Sequence, residues 1–170
     1  MTSSPTLAPV SLASGLLRNT SNFAAVLFTG LFAGFVVTVL VFEASLRGFG
    51  AEVYAQVRLI ELQHLDDLAT GLLLPGILAA ATVTGMNLRQ RGSRRWLAGA
   101  ALLLLVATLL ISVTISVPIN TVQHSWSTLT PPADWAAVRD RWQLAHAVRT
   151  TAAVTAFALL ATRSTPRTAA

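Results

Sequence analysis

Four long apolar runs, separated by polar or charged stretches, organise this chain. They cover residues 19–42, 68–88, 96–118 and 143–162, and the first three contain no charged residue. An α-helix rises about 1.5 Å per residue, so a run of about 20 apolar residues can cross the hydrocarbon core of a bilayer. The pattern therefore predicts an all-α protein, a four-helix transmembrane bundle.

The connections at one end of this bundle also have a helical pattern. Val53, Val57 and Ile60 recur at helical spacing, and His64 continues the same face into the second apolar run. In the third connection, Thr130 stands before two prolines, which predicts a helix N-cap followed by proline in the first turn. We therefore expect the second and fourth helices to extend beyond the bilayer and to form a small helical cap on its outer side.

These patterns divide the chain into three regions. Residues 1–18, rich in Ser, Thr and Pro, predict a disordered N-terminal tail, residues 19–162 a membrane domain, and residues 163–170 a C-terminal tail. Pro75 predicts a kink in the second helix, and Pro118 predicts the end of the third. The predicted helices cover about residues 19–42, 51–88, 96–118 and 131–162.

Composition and charge support a membrane location. Hydrophobic residues make up 54% of the chain and charged residues 11%, whereas a soluble domain has about 25% charged residues. All twelve basic residues are Arg, and four of them lie in the second connection, residues 89–95. Because cytoplasmic loops carry an excess of basic residues, we expect an integral plasma-membrane protein with both termini in the cytoplasm. All seven acidic residues and all three histidines then lie at the outer side.

Missing residues and motifs exclude several chemistries. Cys is absent, which excludes disulfides, thiolate metal sites and the cysteine-dependent quinone reductases. The chain has no P-loop, no nucleophile elbow, and no flavin or nicotinamide motif. Because the Arg residues flank apolar segments, nucleic acid is not an expected partner. The expected partners are the lipid bilayer and a small lipophilic molecule, and a homo-oligomer remains open.

A polar stripe descends from the predicted cap into the fourth apolar run. Its members are Trp135, Arg139, Trp142, His146 and Arg149, spaced by steps of four and three residues. At 100° per residue they fall on one helix face. A charge inside a membrane segment is costly unless it is paired, so Arg149 should face the bundle or a polar cavity. This placement favours a contact with a substrate or an anion.

Structural alternatives exist for Arg149 and for the histidines. Arg149 could form an ion pair with Glu43, Asp66 or Asp67, or reach the lipid headgroups. The histidines and one carboxylate could hold copper, iron or zinc, or they could simply form hydrogen bonds. The chain has one Glu-x-x-His motif, whereas di-iron bundles need two. The candidate metal ligands are His64, His124, His146 and Glu61.

Two further features lie near the same end of the chain. Asn120, in the run Pro118-Ile119-Asn120, could cap backbone groups freed by the proline or hydrogen-bond a substrate. Trp126, Trp135 and Trp142 could form an interfacial aromatic belt or stack on a flat aromatic ligand.

The chain resembles the anthrone-oxygenase-like family of small four-helix integral membrane proteins. The family pattern runs Pro-(Leu/Ile)-Asn, then a Trp, then a Trp followed by Asn or His and by Arg-Thr. The matching residues here are Pro118, Ile119, Asn120, Trp135, Arg141, Trp142, His146, Arg149 and Thr150. The long third connection matches as well.

The resemblance implies a monooxygenase, a membrane-embedded enzyme that uses dioxygen to oxidise a lipophilic anthrone- or quinol-like aromatic at the outer membrane face. It implies that His146 and Arg149 are catalytic and stabilise the anthronate anion, with or without a metal. The substrate-binding residues would be Asn120, Trp126, Trp135, Arg139 and Trp142. The alternative is a non-catalytic accessory subunit or hydrophobic-ligand-binding protein, because the chain has no strong catalytic motif.

Overall fold

The computed structural model describes residues 9–88 and 93–164, and all regular structure in these residues is helical. Four helices are long and apolar enough to cross a membrane, which indicates an integral membrane protein and confirms the predicted fold class. The elements are α1 (Pro9–Ser45), a 3₁₀ turn (Leu46–Gly48), α2 (Ala51–Asn87), α3 (Ser93–Ile111), a π-helical turn (Ser112–Ser116), α4 (Val117–His124) and α5 (Trp135–Ser164).

The first helix is longer than the apolar pattern predicts. It begins at Pro9, so the part of the predicted tail from residue 9 to residue 18 is helical rather than disordered. Proline fits the first turn of a helix, and Leu12, Leu16 and Leu17 are good helix formers. Residues 1–8 and 165–170 of the two predicted tails lie outside the described residues.

The third spanning helix continues through Pro118, so the prediction that this proline ends the helix is wrong. The chain passes from α3 through the π-helical turn into α4, which has Pro118 in its first turn and ends at His124. A proline inside an α-helix removes one hydrogen bond and crowds the preceding turn. The wider π-helical turn lies directly before it, at the place where that crowding would occur.

The fourth spanning helix begins at Trp135, so the predicted N-cap at Thr130 is also wrong. Pro131 precedes Pro132, and a residue before proline is disfavoured in the α conformation. The chain therefore turns before the helix starts. The carbonyl group of Asp134 accepts the first amides, from Ala137 at 2.9 Å and from Val138 at 3.2 Å.

The buried apolar residues form three clusters along the described part of the bundle, the smallest of which is Val39, Ile119 and Trp142. The larger core joins α1, α2, α3 and α5, whereas many large apolar side chains on the outside, such as Leu78 and Leu103, face outward where lipid would lie. A smaller cluster, the cap cluster, packs where α2 and α5 begin. Its members are Leu46, Tyr54, Ala55 and Trp126, with Val57, Trp135 and Val138 against them.

Close packing of α1 on α5 depends on one glycine of the Gly30/Gly34 pair. A Cβ atom added at Gly30 would lie 2.8 Å from Cε2 of Phe157, whereas one added at Gly34 would meet nothing within 4 Å. Gly30 therefore lets the Phe157 ring approach the α1 backbone closely, as small residues do between membrane helices.

Candidate functional site

Arg58 is the centre of a buried polar network between the cap cluster and the main core. Its side chain is almost fully buried. The guanidinium donates to Oε2 of Glu61 at 2.8 Å, Oε1 of Glu43 at 3.3 Å, Oε1 of Gln123 at 2.9 Å and Oδ1 of Asn120 at 2.7 Å. Four acceptors from three helices therefore converge on one cation.

The carboxylates of this network are held by both charge and hydrogen bonds. Arg58 and Glu61 lie three residues apart on α2, which places them on the same helix face. Glu43, fully buried near the end of α1, also accepts a hydrogen bond from Nε2 of Gln143 at 2.9 Å. A buried charge is tolerated only when it is paired and hydrogen-bonded, so these contacts stabilise the network.

Asn120 links this network to a third carboxylate, that of Asp66. Its Oδ1 atom accepts from Arg58 and from Nε1 of Trp142, both at 2.7 Å. Because both of these partners are donors, Oδ1 must face them and the amide nitrogen must face the other way. That nitrogen donates to the two carboxylate oxygens of Asp66 at 3.1 and 2.8 Å.

His146 is fixed in one tautomer by its two hydrogen bonds. Nε2 lies 2.9 Å from the carbonyl oxygen of Val36, which can only accept, so Nε2 carries the proton. Nδ1 therefore accepts from Nη2 of Arg149 at 2.8 Å. Trp142 stacks on the imidazole with centroids 4.8 Å apart and an interplanar angle of 6°. One ring nitrogen of His146 thus anchors the side chain to the α1 backbone, and the other holds Arg149.

A cavity of about 110 Å³ lies beside Arg149, between α2 and the third spanning helix. Three of its apolar lining residues, Leu74, Val113 and Val117, are 42%, 57% and 49% exposed, which indicates a mouth on the side where lipid would lie. The walls are mainly apolar and the polar groups are few. The polar lining residues are Asp66, Thr70, Ser112, Ser116, Asn120 and Arg149, and the apolar ones are Phe32, Ala69, Leu73, Leu74, Leu109, Val113 and Val117.

Two buried polar atoms of this lining have no hydrogen-bond partner. They are Nε of Arg149 and Oγ of Ser116, although Nη1 of Arg149 donates to Oγ of Ser112 at 2.9 Å. Buried polar groups are almost always hydrogen-bonded, and exceptions often mark functional sites. The pair of unpartnered atoms therefore indicates a place for a polar atom of a ligand.

A second, smaller cavity of about 40 Å³ adjoins the first, and both are lined by Asp66, Ala69 and Arg149. Its other polar lining residues are Arg58, Glu61, Trp142 and His146. The residue set shows that the Arg58 network and the lipid-facing cavity belong to one polar site.

The structure brings together four of the residues singled out in the sequence: Asn120, Trp142, His146 and Arg149. The three other proposed substrate-binding residues lie in the cap, and none of them lines either cavity. Trp126 and Trp135 contact Tyr54, with ring centroids 6.3 and 5.6 Å apart. Arg139 lies over the ring of Trp135 at 4.8 Å and pairs with Asp140 at 3.0 Å.

The four proposed metal ligands are not brought together. His64 and His124 are exposed, whereas His146 is buried with both nitrogens engaged, and Glu61 is bound to Arg58. Within residues 9–88 and 93–164, no group of three His, Asp or Glu side chains is placed to hold a metal ion. The residues therefore do not fit the predicted metal site.

Arg58 is not among the candidate site residues that the sequence singles out. Arg58 and Glu61 stand one helical turn apart in a segment that the apolar pattern carries into the membrane domain. Such spacing is compatible with an ion pair, but exposed helices show it equally often. Only the folded chain reveals that Glu43 and Asn120 approach the same guanidinium.

Comparison with known protein families identifies the family of this chain. The family model described as anthrone oxygenase matches residues 64–159, more than half of the chain. The match includes Asp66, Asn120, Trp142, His146 and Arg149. No curated protein and no solved structure matches the chain. From the extent of the family match, this chain belongs to the anthrone oxygenase family.

Proposed function

We propose that this protein is a membrane-embedded oxygenase that oxidises a lipophilic, anthrone- or quinol-like aromatic in the cavity beside Arg149. One observation carries the proposal. An unpartnered, buried guanidinium N–H belongs to a residue that lines an apolar cavity open to the bilayer. Family membership supplies the class of chemistry, and the cavity supplies a place where a flat lipophilic molecule with one polar atom can bind.

The cavity walls and mouth suit such a substrate. The volume of about 110 Å³ is below the roughly 150 Å³ of a cavity that binds benzene. Because a whole ring exceeds that volume, only the edge of one ring and its carbonyl oxygen would enter the cavity, against Phe32 and Leu109. The remaining rings would extend through the mouth beside Val113 into the lipid phase, from which the substrate would arrive.

Arg149 acts on the oxygen atom of the substrate. The carbonyl oxygen accepts from the guanidinium, with the hydroxyl of Ser116 as a second donor. Loss of a methylene proton moves negative charge onto that oxygen, where a preoriented cation stabilises it. His146 keeps Arg149 in place through Nδ1, so it is a positioning residue rather than the base.

The overall reaction balances with dioxygen alone. A methylene group and one dioxygen molecule give a carbonyl group and one water molecule, so four electrons pass from carbon to oxygen. No separate reductant is required. The chain contributes binding, charge stabilisation and proton transfer.

The Arg-rich connection at residues 89–95 supports the outer membrane face as the location of the site. In the sequence these residues follow α2, whose last residue, Asn87, is at the end of the helix opposite the cap. Basic connections are retained in the cytoplasm, so the cap and the cavity beside it would lie toward the outer side of the plasma membrane, with both termini in the cytoplasm.

Oxygen uptake by the purified protein in lipid nanodiscs, with anthrone as substrate, tests this function. We expect one dioxygen consumed for each anthraquinone formed, at a rate above protein-free nanodiscs. Arg149→Gln should lower the rate by about 10²–10³-fold, the usual effect of removing an oxyanion donor. Arg141→Gln, an exposed arginine on the same helix, is the matched control and should keep the wild-type rate.

Equal rates for the two arginine variants would overturn the role of Arg149. Ligand binding by the wild-type protein without oxygen uptake would overturn the enzymatic function and favour a hydrophobic-ligand-binding protein.

A further inference from the structure

We infer that Asp66 is the general base that removes the methylene proton, an assignment that rests on the proposed function. Asp66 and Arg149 line the same cavity. Neither side chain forms an ion pair within 4 Å among the described residues. The site therefore presents a carboxylate and a guanidinium that do not neutralise each other by direct contact, as enolisation requires of a base and an oxyanion stabiliser.

The orientation of the Asp66 carboxylate is set by a neutral group, the side-chain amide of Asn120. The amide nitrogen of Asn120 donates to both carboxylate oxygens, and the orientation of this amide is fixed by Arg58 and Trp142 on its other side. An amide donor orients a carboxylate without the stronger hold of a charged donor. The carboxylate oxygens retain lone pairs that can accept a proton.

The other candidate bases are occupied or out of reach. His146 uses both ring nitrogens, Nε2 toward Val36 and Nδ1 toward Arg149. Glu61 is bound to Arg58 through Oε2 and has an unpartnered Oε1, but it lines only the smaller cavity. Asp66 and Asp67 are both exposed, but Asp67 lines neither cavity.

The proton and electrons can be followed through the reaction. The methylene C–H bond breaks, the proton passes to a carboxylate oxygen of Asp66, and the electron pair remains in the substrate as an enolate whose oxygen faces Arg149. The enolate carbon then forms a bond to dioxygen. Asp66 returns the proton to the distal oxygen to give a hydroperoxide. The second methylene proton is then lost, the O–O bond breaks, and the departing hydroxide combines with that proton as water, which leaves the carbonyl group.

Anaerobic hydrogen–deuterium exchange separates this step from oxygen chemistry. Wild-type protein in nanodiscs is incubated with anthrone in deuterated buffer without oxygen, and deuterium entering the methylene is measured by mass spectrometry. We expect protein-dependent exchange, which Asp66→Asn lowers by about 10²–10⁴-fold, the range for general acid–base catalysis. Asp67→Asn, the matched neighbour, should exchange at the wild-type rate.

Two additional measurements keep the test independent of folding. Asp66→Asn should still bind anthraquinone, a product-like ligand with no methylene proton, with wild-type affinity. Added formate should restore exchange in Asp66→Ala but not in Arg149→Gln, because formate replaces a carboxylate only. Failure of formate to restore exchange would count against the assignment.

The outcomes distinguish the assignment from the proposed function. If the wild-type protein catalyses exchange and oxygen uptake but Asp66→Asn matches Asp67→Asn in both, Asp66 is not the base and the proposed function stands. If the wild-type protein catalyses neither reaction, the proposed function fails together with this assignment.

Discussion

Replacement of Arg58 by Met removes the only cation that contacts the Glu43 and Glu61 carboxylates among the described residues. Methionine keeps the unbranched apolar stem of the side chain but ends before the guanidinium carbon, which lies 3.9 Å from the Trp142 ring centroid, so this stacking contact is lost together with the charge. Two buried carboxylates then lose their countercharge. Breaking a buried ion pair from one side typically costs about 3–5 kcal/mol, and we expect the free energy of unfolding to fall by that amount.

The assay is reversible unfolding in mixed micelles with increasing SDS, followed by tryptophan fluorescence. Arg47→Met is the matched control, because Arg47 also donates to Gln143 and forms an ion pair with Asp140. Unlike the Arg58 pairs, this pair is about half exposed, with side-chain exposures of 46% for Arg47 and 50% for Asp140. Such exposed pairs contribute about 0–1 kcal/mol.

A rescue variant isolates the role of charge. Addition of Glu43→Gln and Glu61→Gln to Arg58→Met should recover part of the lost stability, because the two amides carry no charge to leave unpaired. Equal stability of Arg58→Met and Arg47→Met, or no recovery in the triple variant, would refute the conclusion that buried charge pairing holds this site together.

Two other predictions concern packing and the histidines. Gly30→Ala should lower stability by about 1–3 kcal/mol despite its better helix propensity, because the new methyl group would meet the Phe157 ring at 2.8 Å. Gly34→Ala meets nothing and should be neutral or stabilising in the same unfolding assay. His64→Ala combined with His124→Ala should leave oxygen uptake unchanged, since both side chains are exposed and line neither cavity; a large loss of uptake would restore the case for a metal.

The sequence predicts the part of the site whose residues lie on a single helix. Trp142, His146 and Arg149 recur every three or four residues on α5, and periodicity alone places them on one face. The match of the Pro-Ile-Asn run to the family pattern likewise identifies Asn120 as important. The structure then supplies the contact, a hydrogen bond of 2.7 Å from Trp142 to Asn120.

The rest of the site depends on contacts between distant segments, which periodicity does not encode. Glu43, Arg58 and Asn120 come from three helices, and each resembles a residue at the end of an apolar segment. The course of the third helix was missed because Pro118 is a strong breaker, and a widened turn before it is not visible in a hydropathy pattern. The sequence groups the three histidines only by the side of the membrane on which they lie. Residues on one side of a bundle can face its core or its surface, and of these three only His146 is buried.

Ligand binding at the cavity mouth tests the central claim most directly. Val113→Trp places a large ring at the mouth, whereas Leu110→Trp, at a similarly exposed position, lies outside the cavity lining. Titration of anthraquinone into nanodisc-embedded protein should show that Val113→Trp weakens binding at least tenfold, as Arg149→Gln does, and that Leu110→Trp retains wild-type affinity. Equal affinity in all three variants would contradict the cavity as the substrate site.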